Sequence, residues 1–212
     1  MKGSLSTQPV NCLLMLLMAA SAAAETPLAV EQFEYSNQAV IGDFALESSR
    51  GIIGVNVVAG DSNAQLNARA LAVSIGQGLG ATAQIKASQH VGLPGGGLYS
   101  AVSLIEGNAF SNASGLISIN HASGSGNAQL NDVAIGFALG GVAVSESELS
   151  LTVTGQSASQ LTSDSNGQHR QVSIGEGAFN GASGVVQINQ LAGSGNATSN
   201  SFGLSVSLGT KK

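Results

Sequence analysis

The sequence predicts an all-β repeat fold, a β-solenoid or a pile of stacked β-arches capable of cross-β growth. Three observations predict it. Residues 41–76, 105–140 and 174–209 form three 36-residue units that align without a gap. Within them apolar residues recur at period two, with no heptad and no long 3.6-residue stripe. The polar positions that repeat are Asn and Gly, not charges.

The chain opens on an expected export signal over residues 1–24. Lys2 gives a positive start, residues 12–20 form an apolar run, and Ala22, Ala23 and Ala24 precede Glu25 as a small-residue cleavage pattern. The run is shorter than the roughly 20 residues a bilayer span needs. Cys12, the only cysteine, would leave with the signal. A mature chain without disulfides must draw its stability from backbone hydrogen bonding or association. Residues 25–40, with Glu31, Phe33, Glu34 and Tyr35, are expected to form an amino-terminal segment or cap.

The centres of the units read GIIGVNVVAGDSNAQLN from Gly51, GLISINHASGSGNAQLN from Gly115 and GVVQINQLAGSGNATSN from Gly184. Four polar or Gly columns are invariant: Asn56/Asn120/Asn189, Gly60/Gly124/Gly193, Asn63/Asn127/Asn196 and Asn67/Asn131/Asn200. Ahead of them Ile53 and Val55, Ile117 and Ile119, Val186 and Ile188 stand two apart, on one face of a strand. After them the large residues are Leu71, Val73 and Ile75 in the first unit, with Arg69 departing from the pattern. In the second they are Val133, Ile135, Phe137 and Leu139, and in the third Phe202, Leu204, Val206 and Leu208. These are the predicted core columns, and the small residues between them leave a thin face that a second sheet can approach. Each unit thus reads strand, turn, strand, with the turn near 60–63 and its counterparts.

The spacers, 77–104 and 141–173, are less regular. Leu93 to Gly97 reads as a loop, residues 149–154 alternate like a strand and 81–87 do so weakly, so each spacer is expected to add a further layer. The tail, 210–212, is too short to cover the last unit, although Lys211 and Lys212 would act as weak gatekeepers.

One unit cannot stand alone, because the few apolar side chains it buries do not offset the entropy of ordering its backbone. Stacking supplies each strand with neighbours and aligns the columns. Identical Asn residues in successive layers, ~4.8 Å apart, can bond to one another because an amide both donates and accepts. The Asn56 column, directly after apolar strand residues, is read as such a ladder. The Asn63 column fits a ladder or ordinary turn formation equally. The uncovered third unit is a template for another chain.

On these residues the chain resembles a known family. GVNVVAGDSNAQLN, from Gly54 to Asn67, is similar to the GVNxAAGxxNQQxN signature of the Fap functional-amyloid subunits of pseudomonads, the FapB and FapC type. Gly54, Val55, Asn56, Ala59, Gly60, Asn63 and Asn67 fall on it; in the second copy Asn120, Gly124, Asn127, Gln129 and Asn131 do, and in the third Asn189, Ala192, Gly193, Asn196 and Asn200. The resemblance implies a subunit exported through an outer-membrane pore and assembled, with copies of itself and related subunits, into cross-β fibres of a biofilm. Family subunits carry a CxxC near the carboxyl end, and this chain has no cysteine after position 12. The resemblance is therefore to a divergent relative or a minor component.

Other chemistry finds no support. A net charge of −5 lacks the basic stripe of a nucleic-acid binder. His90, His121 and His169 fit no metal-ligand spacing and are read as solvated or turn histidines. Glu146 and Glu148 are the nearest approach to a carboxylate pair, on a strand edge. Gly76, Gly78 and Gly80 lack the βαβ context of a dinucleotide loop. No catalytic residue, metal or cofactor is expected. The leading expectation is a secreted, self-assembling structural protein. The rivals are a soluble surface β-solenoid serving as adhesin or binding module and, more distantly, a β-helix enzyme acting on polysaccharide, which the absence of Trp disfavours.

Overall fold

A computed structural model describes residues 35–76, 80–92, 99–139, 149–154 and 169–208. The expected signal, the 93–97 loop, the pair Glu146 and Glu148, and the tail at 210–212 lie outside them. Every described element is a strand: β1 Tyr35–Ile41, β2 Arg50–Ala59, β3 Ala64–Ile75, β4 Ile85–His90, β5 Tyr99–Ile105, β6 Ser114–Ser123, β7 Ala128–Leu139, β8 Leu149–Thr154, β9 Arg170–Ile174, β10 Ser183–Ala192 and β11 Ala197–Leu208.

Gly60 and its counterparts break each unit where positive φ is needed, so each unit folds back as an arch rather than a hairpin. Its strands then pair with the same strands of the next unit. The sheets are β1-β5-β9, β2-β6-β10, β3-β7-β11 and β4-β8, all parallel. Equivalent residues are paired, Asn56 with Asn120 with Asn189 and Asn67 with Asn131 with Asn200. The expected strand, turn, strand unit and the all-β stacking are what the fold shows.

Alternation along the strands decides what lies between the sheets. One face of β2-β6-β10 carries Ile53, Val55 and Val57 with Ile117, Ile119 and Ile188, and it packs with Ile41, Ile105 and Phe110 in an apolar core. The small residues of β3 and β7, Ala68, Ala70, Ala72 and Ala134, face Ala83, Ile85 and Ala87 on the other side. Between these two layers run the amides. The thin face therefore does admit a second sheet, supplied by β4 and β8.

Part of the predicted core is corrected. Ile117 and Ile119 are fully buried and Ile53, Val55 and Ile188 partly so, but Leu71, Val73 and Ile75 are 65%, 60% and 73% exposed. Leu139, Val186, Leu204 and Leu208 are exposed too, and Ile135, Phe137 and Val206 are only half-buried. The reason is strand length. Gln65, Asn67 and Arg69 reach the carbonyls of Val57, Val55 and Ile53 in turn. At that register Leu71 lies opposite Gly51, and the last residues of β3 run past the start of β2 at Arg50. Among the described residues no sheet stands across from the large side chains of the overhang; Val186 is exposed because it belongs to the end layer.

Two further expectations change. The spacers extend existing layers sideways, through β4 and β8 of the fourth sheet and through most of β5 and β9 of the first, instead of adding layers. The last residues of the expected cap, 35–40, form β1, which pairs with β5 as an ordinary strand of the first layer.

A stability contrast follows from the core. Ile119→Ala should destabilise the stack by ~2–5 kcal/mol, whereas Val73→Ala should stay within ~0.5 kcal/mol of wild type. Denaturant midpoints of the two variants check this, and equal losses would contradict the assignment of the overhang.

Candidate functional site

The middle layer is sealed and the outer two are less so. Asn120, Asn127, Gln129 and Asn131 are fully buried, whereas Asn56 is exposed, Asn189 retains 7% exposure and Asn200 is half-buried. Amide burial is tolerated only when donors and acceptors are satisfied, an orphan costing ~1–3 kcal/mol. Here they are. The Nδ2 of Asn120 donates to Asn56 Oδ1 at 3.0 Å, and that of Asn189 to Asn120 Oδ1 at 3.0 Å. In the facing sheet Asn131 donates to Asn67 and Asn200 to Asn131, both at 3.0 Å.

The two ladders are also tied to each other. Asn67, Asn131 and Asn200 donate within their own layers to Asn56, Asn120 and Asn189 at 2.8, 3.0 and 3.0 Å. Asn120 reaches Leu66 O and Asn131 reaches Ile119 O, each at 3.0 Å. The result is an amide zip that joins β2-β6-β10 to β3-β7-β11. A one-residue slip would move every amide to the opposite face, so the zip sets the register.

The third Asn column bridges the turns. Asn63 Nδ2 donates to Gly124 O at 2.7 Å and Asn127 Nδ2 to Gly193 O at 2.8 Å. Asn63 Oδ1 and Asn127 Oδ1 in turn accept from the backbone N–H of Asn127 and Asn196 at 2.9 and 3.1 Å. These side chains span layers while sitting in turns, so both alternatives left open by the sequence describe them. Gly60, Gly124 and Gly193 have φ of +113°, +115° and +139°. A Cβ at Gly60 would fall on the Gly124 carbonyl, and one at Gly124 on the Gly193 carbonyl.

Several participants were not among the ladder and turn columns read from the sequence, although Gln129 falls on the family signature. Gln65 donates to Gln129 Oε1 at 2.6 Å and Gln129 to Asn189 O at 3.1 Å, although the column ends in Thr198. Gly51, Gly115 and Gly184 also repeat at positive φ, with no room for a Cβ between Gly115 and Gly51 or between Gly184 and Gly115. Their identity in all three copies was the available signal. Phe110 and Phe179 stack at 5.0 Å with rings 1° from parallel, inside a turn whose equivalent residue is Leu46. Nothing in period-two reasoning points to a turn.

His121 is not solvated. It is fully buried, with Nδ1 2.9 Å from Ser103 Oγ, while His90 and His169 are exposed. Burial lowers its pKa from 6.5 to about 4, partly offset by the Ala39 backbone. Burial likewise raises the Asp132 carboxyl, with the Ser201 hydroxyl of the neighbouring layer working against the shift. Folded His121 therefore stays neutral where the unfolded chain takes up a proton. Its contribution is complete above pH 6.5 and is lost as pH falls toward about 4. Asp132 has the opposite sign, since acidification relieves its buried charge. His121→Gln, matching Gln190 in the same column, should flatten the loss of stability between pH 7 and 5. Urea midpoints at the two pH values check this; an unchanged slope would assign the loss elsewhere.

Among the described residues no three His, Cys, Asp or Glu side chains gather as a metal site. What the arrangement offers chemically, among the described residues, is a strand edge at each end of a repeating stack. The profile of the functional amyloid protein FapB/FapC family matches residues 18–207, a span that contains the first two repeats, both spacers and all but the last two residues of the third repeat. The chain belongs to that family. No solved structure matches it. As a FapB/FapC-family protein it is a functional amyloid protein, and the family is structural, not enzymatic.

Proposed function

We propose that this FapB/FapC-family chain is secreted and self-assembles, as subunit or nucleator, into extracellular amyloid fibres of a bacterial biofilm matrix, after export through an outer-membrane pore. Copies of itself and related subunits are its partners. The observation that carries this reading is the pair of open edges. Among the described residues, β1, β2 and β3 on one side and β9, β10 and β11 on the other each have a single hydrogen-bonded neighbour strand. The middle layer shows what an edge becomes once covered, with Asn120 and Asn131 fully buried and satisfied. A parallel edge in register with an identical sequence is a template for another chain.

The test is incubation of the chain lacking residues 1–24 at neutral pH. Thioflavin-positive fibres with a meridional reflection near ~4.8 Å are expected. A monomer that persists at high concentration would contradict the proposal and favour the soluble adhesin reading.

A further inference from the structure

The amide ladder has a direction. Each Asn of the Asn56 column donates toward the lower-numbered repeat, Asn189 to Asn120 and Asn120 to Asn56. Asn189 and Asn120 also donate to the Asn131 and Asn67 oxygens. Repeat 1 thus ends on Asn56, whose amide N–H groups have no further layer to reach among the described residues. Repeat 3 ends on acceptors, the oxygens of Asn189 and Asn200. The two ends are complementary to each other, not to themselves.

They also differ in the column of Arg69 and in the column facing it. Arg69, Val133 and Phe202 stand in register, as do Gly54, Ser118 and Gln187. At the repeat 1 end the Arg69 guanidinium donates from Nη2 to Ile53 O at 2.8 Å and lies over Gly54, where a Cβ would meet Nη2 at 2.7 Å. Its Nε is buried without a hydrogen-bond partner. At the repeat 3 end an open cleft of about 480 Å³ is lined by Gln187, Ile188, Asn200, Ser201 and Phe202. It occupies the same columns that Arg69 and Gly54 occupy at the other end.

We infer that the joint between successive copies is directional, repeat 3 of one chain receiving repeat 1 of the next, and that Arg69 is its key, its guanidinium closing the cleft over the Phe202 ring of the neighbour. The inference rests on the fibre reading above and adds its polarity and its specificity residue. Continuing the parallel register sets the backbones of Arg69 and Phe202 one strand spacing apart, ~4.8 Å, which lets the guanidinium reach the ~6 Å from the ring over which a cation and an aromatic face attract. A planar guanidinium stacks on a ring as an ammonium does not. Repeat 1 on repeat 1 would instead oppose two Arg69 charges and two sets of amide donors.

Two measurements on chains lacking residues 1–24, and so lacking Cys12, test it. First, Ile75→Cys and Leu208→Cys chains, altered at exposed positions of one column, are mixed, polymerised and oxidised. Disulfide-linked 75–208 heterodimers are expected, and 75–75 or 208–208 homodimers as the main product overturn the direction. Second, Arg69→Ala and Phe202→Ala are each expected to slow seeded elongation about tenfold, as ~1.4 kcal/mol implies, with the double variant little slower than either. Multiplying effects overturn the pairing, as does full activity in Arg69→Lys. Wild-type chains that form no fibres overturn the fibre reading and this one together; wild-type fibres without heterodimers overturn the direction alone.

Discussion

Chains in which Asn56, Asn120 and Asn189 are all replaced by Asp should extend seeds at least about a hundredfold more slowly than wild type at pH 7, an uncompensated ~3 kcal/mol being sufficient. Asn120 is fully buried and donates to Asn56 Oδ1, Asn67 Oδ1 and Leu66 O. An Asp carboxylate has no N–H to give. Each donor becomes a repulsion between oxygens, and three like charges stand one strand spacing apart. The substituted carboxyls escape by taking up protons, so their folded pKa values lie above that of the unfolded chain. Their penalty is present above that raised value and disappears as pH falls through it. Elongation should therefore recover on acidification. Asn112→Asp, on an exposed turn, is the control and should leave the rate near wild type. A triple variant that grows normally at pH 7, or stays slow in acid, would show that the amides are not stacked as described.

Gly124→Ala is expected to cost ~3–5 kcal/mol, combining strain at positive φ with lost interlayer hydrogen bonds. Gly124 takes φ +115° and its Cβ would land on the Gly193 carbonyl, so relief requires the layers to part at the turn. Parting them loosens Gly124 N to Ala59 O and Gly193 N to Ser123 O, both 2.9 Å. It also disturbs the bonds from Asn63 Nδ2 to Gly124 O and from Asn127 Nδ2 to Gly193 O. The defect lies between layers, so both chain stability and elongation should fall. Gly92→Ala, where nothing stands within 4 Å, should be silent. A Gly124→Ala chain within ~0.5 kcal/mol of wild type in denaturant would contradict the close approach of the turns.

Much of this architecture was legible in the sequence because a stack repeats its environment. Any residue that must fit between copies of itself, such as Asn120 or Gly124, recurs at a fixed spacing, and period two separates the faces of β2 and β6. What was not legible depends on lengths and angles that alternation does not encode. Leu71, Val73 and Ile75 look like core because they are large and alternate, yet β3 outruns the sheet facing it. His121 looks like a turn residue because its equivalents, Val57 and Gln190, share no chemistry with it. It is buried by a strand that a spacer contributes, and nothing local announces that packing. Phe110 and Phe179 were missed because their stack sits in a turn. Arg69 appeared as a flaw in an apolar series; set opposite Phe202 across a joint, its column is the one within β3-β7-β11 in which the two ends of the chain differ in charge.

The central claim is that copies continue the internal stack, each adding three in-register parallel layers. The axial rise per chain in the fibre, measured by cryo-electron microscopy of the chain lacking residues 1–24, tests it most directly. Three layers at ~4.8 Å predict one chain per ~14 Å, with every strand parallel to its neighbours. One chain per ~4.8 Å, or an antiparallel arrangement of strands, would contradict it.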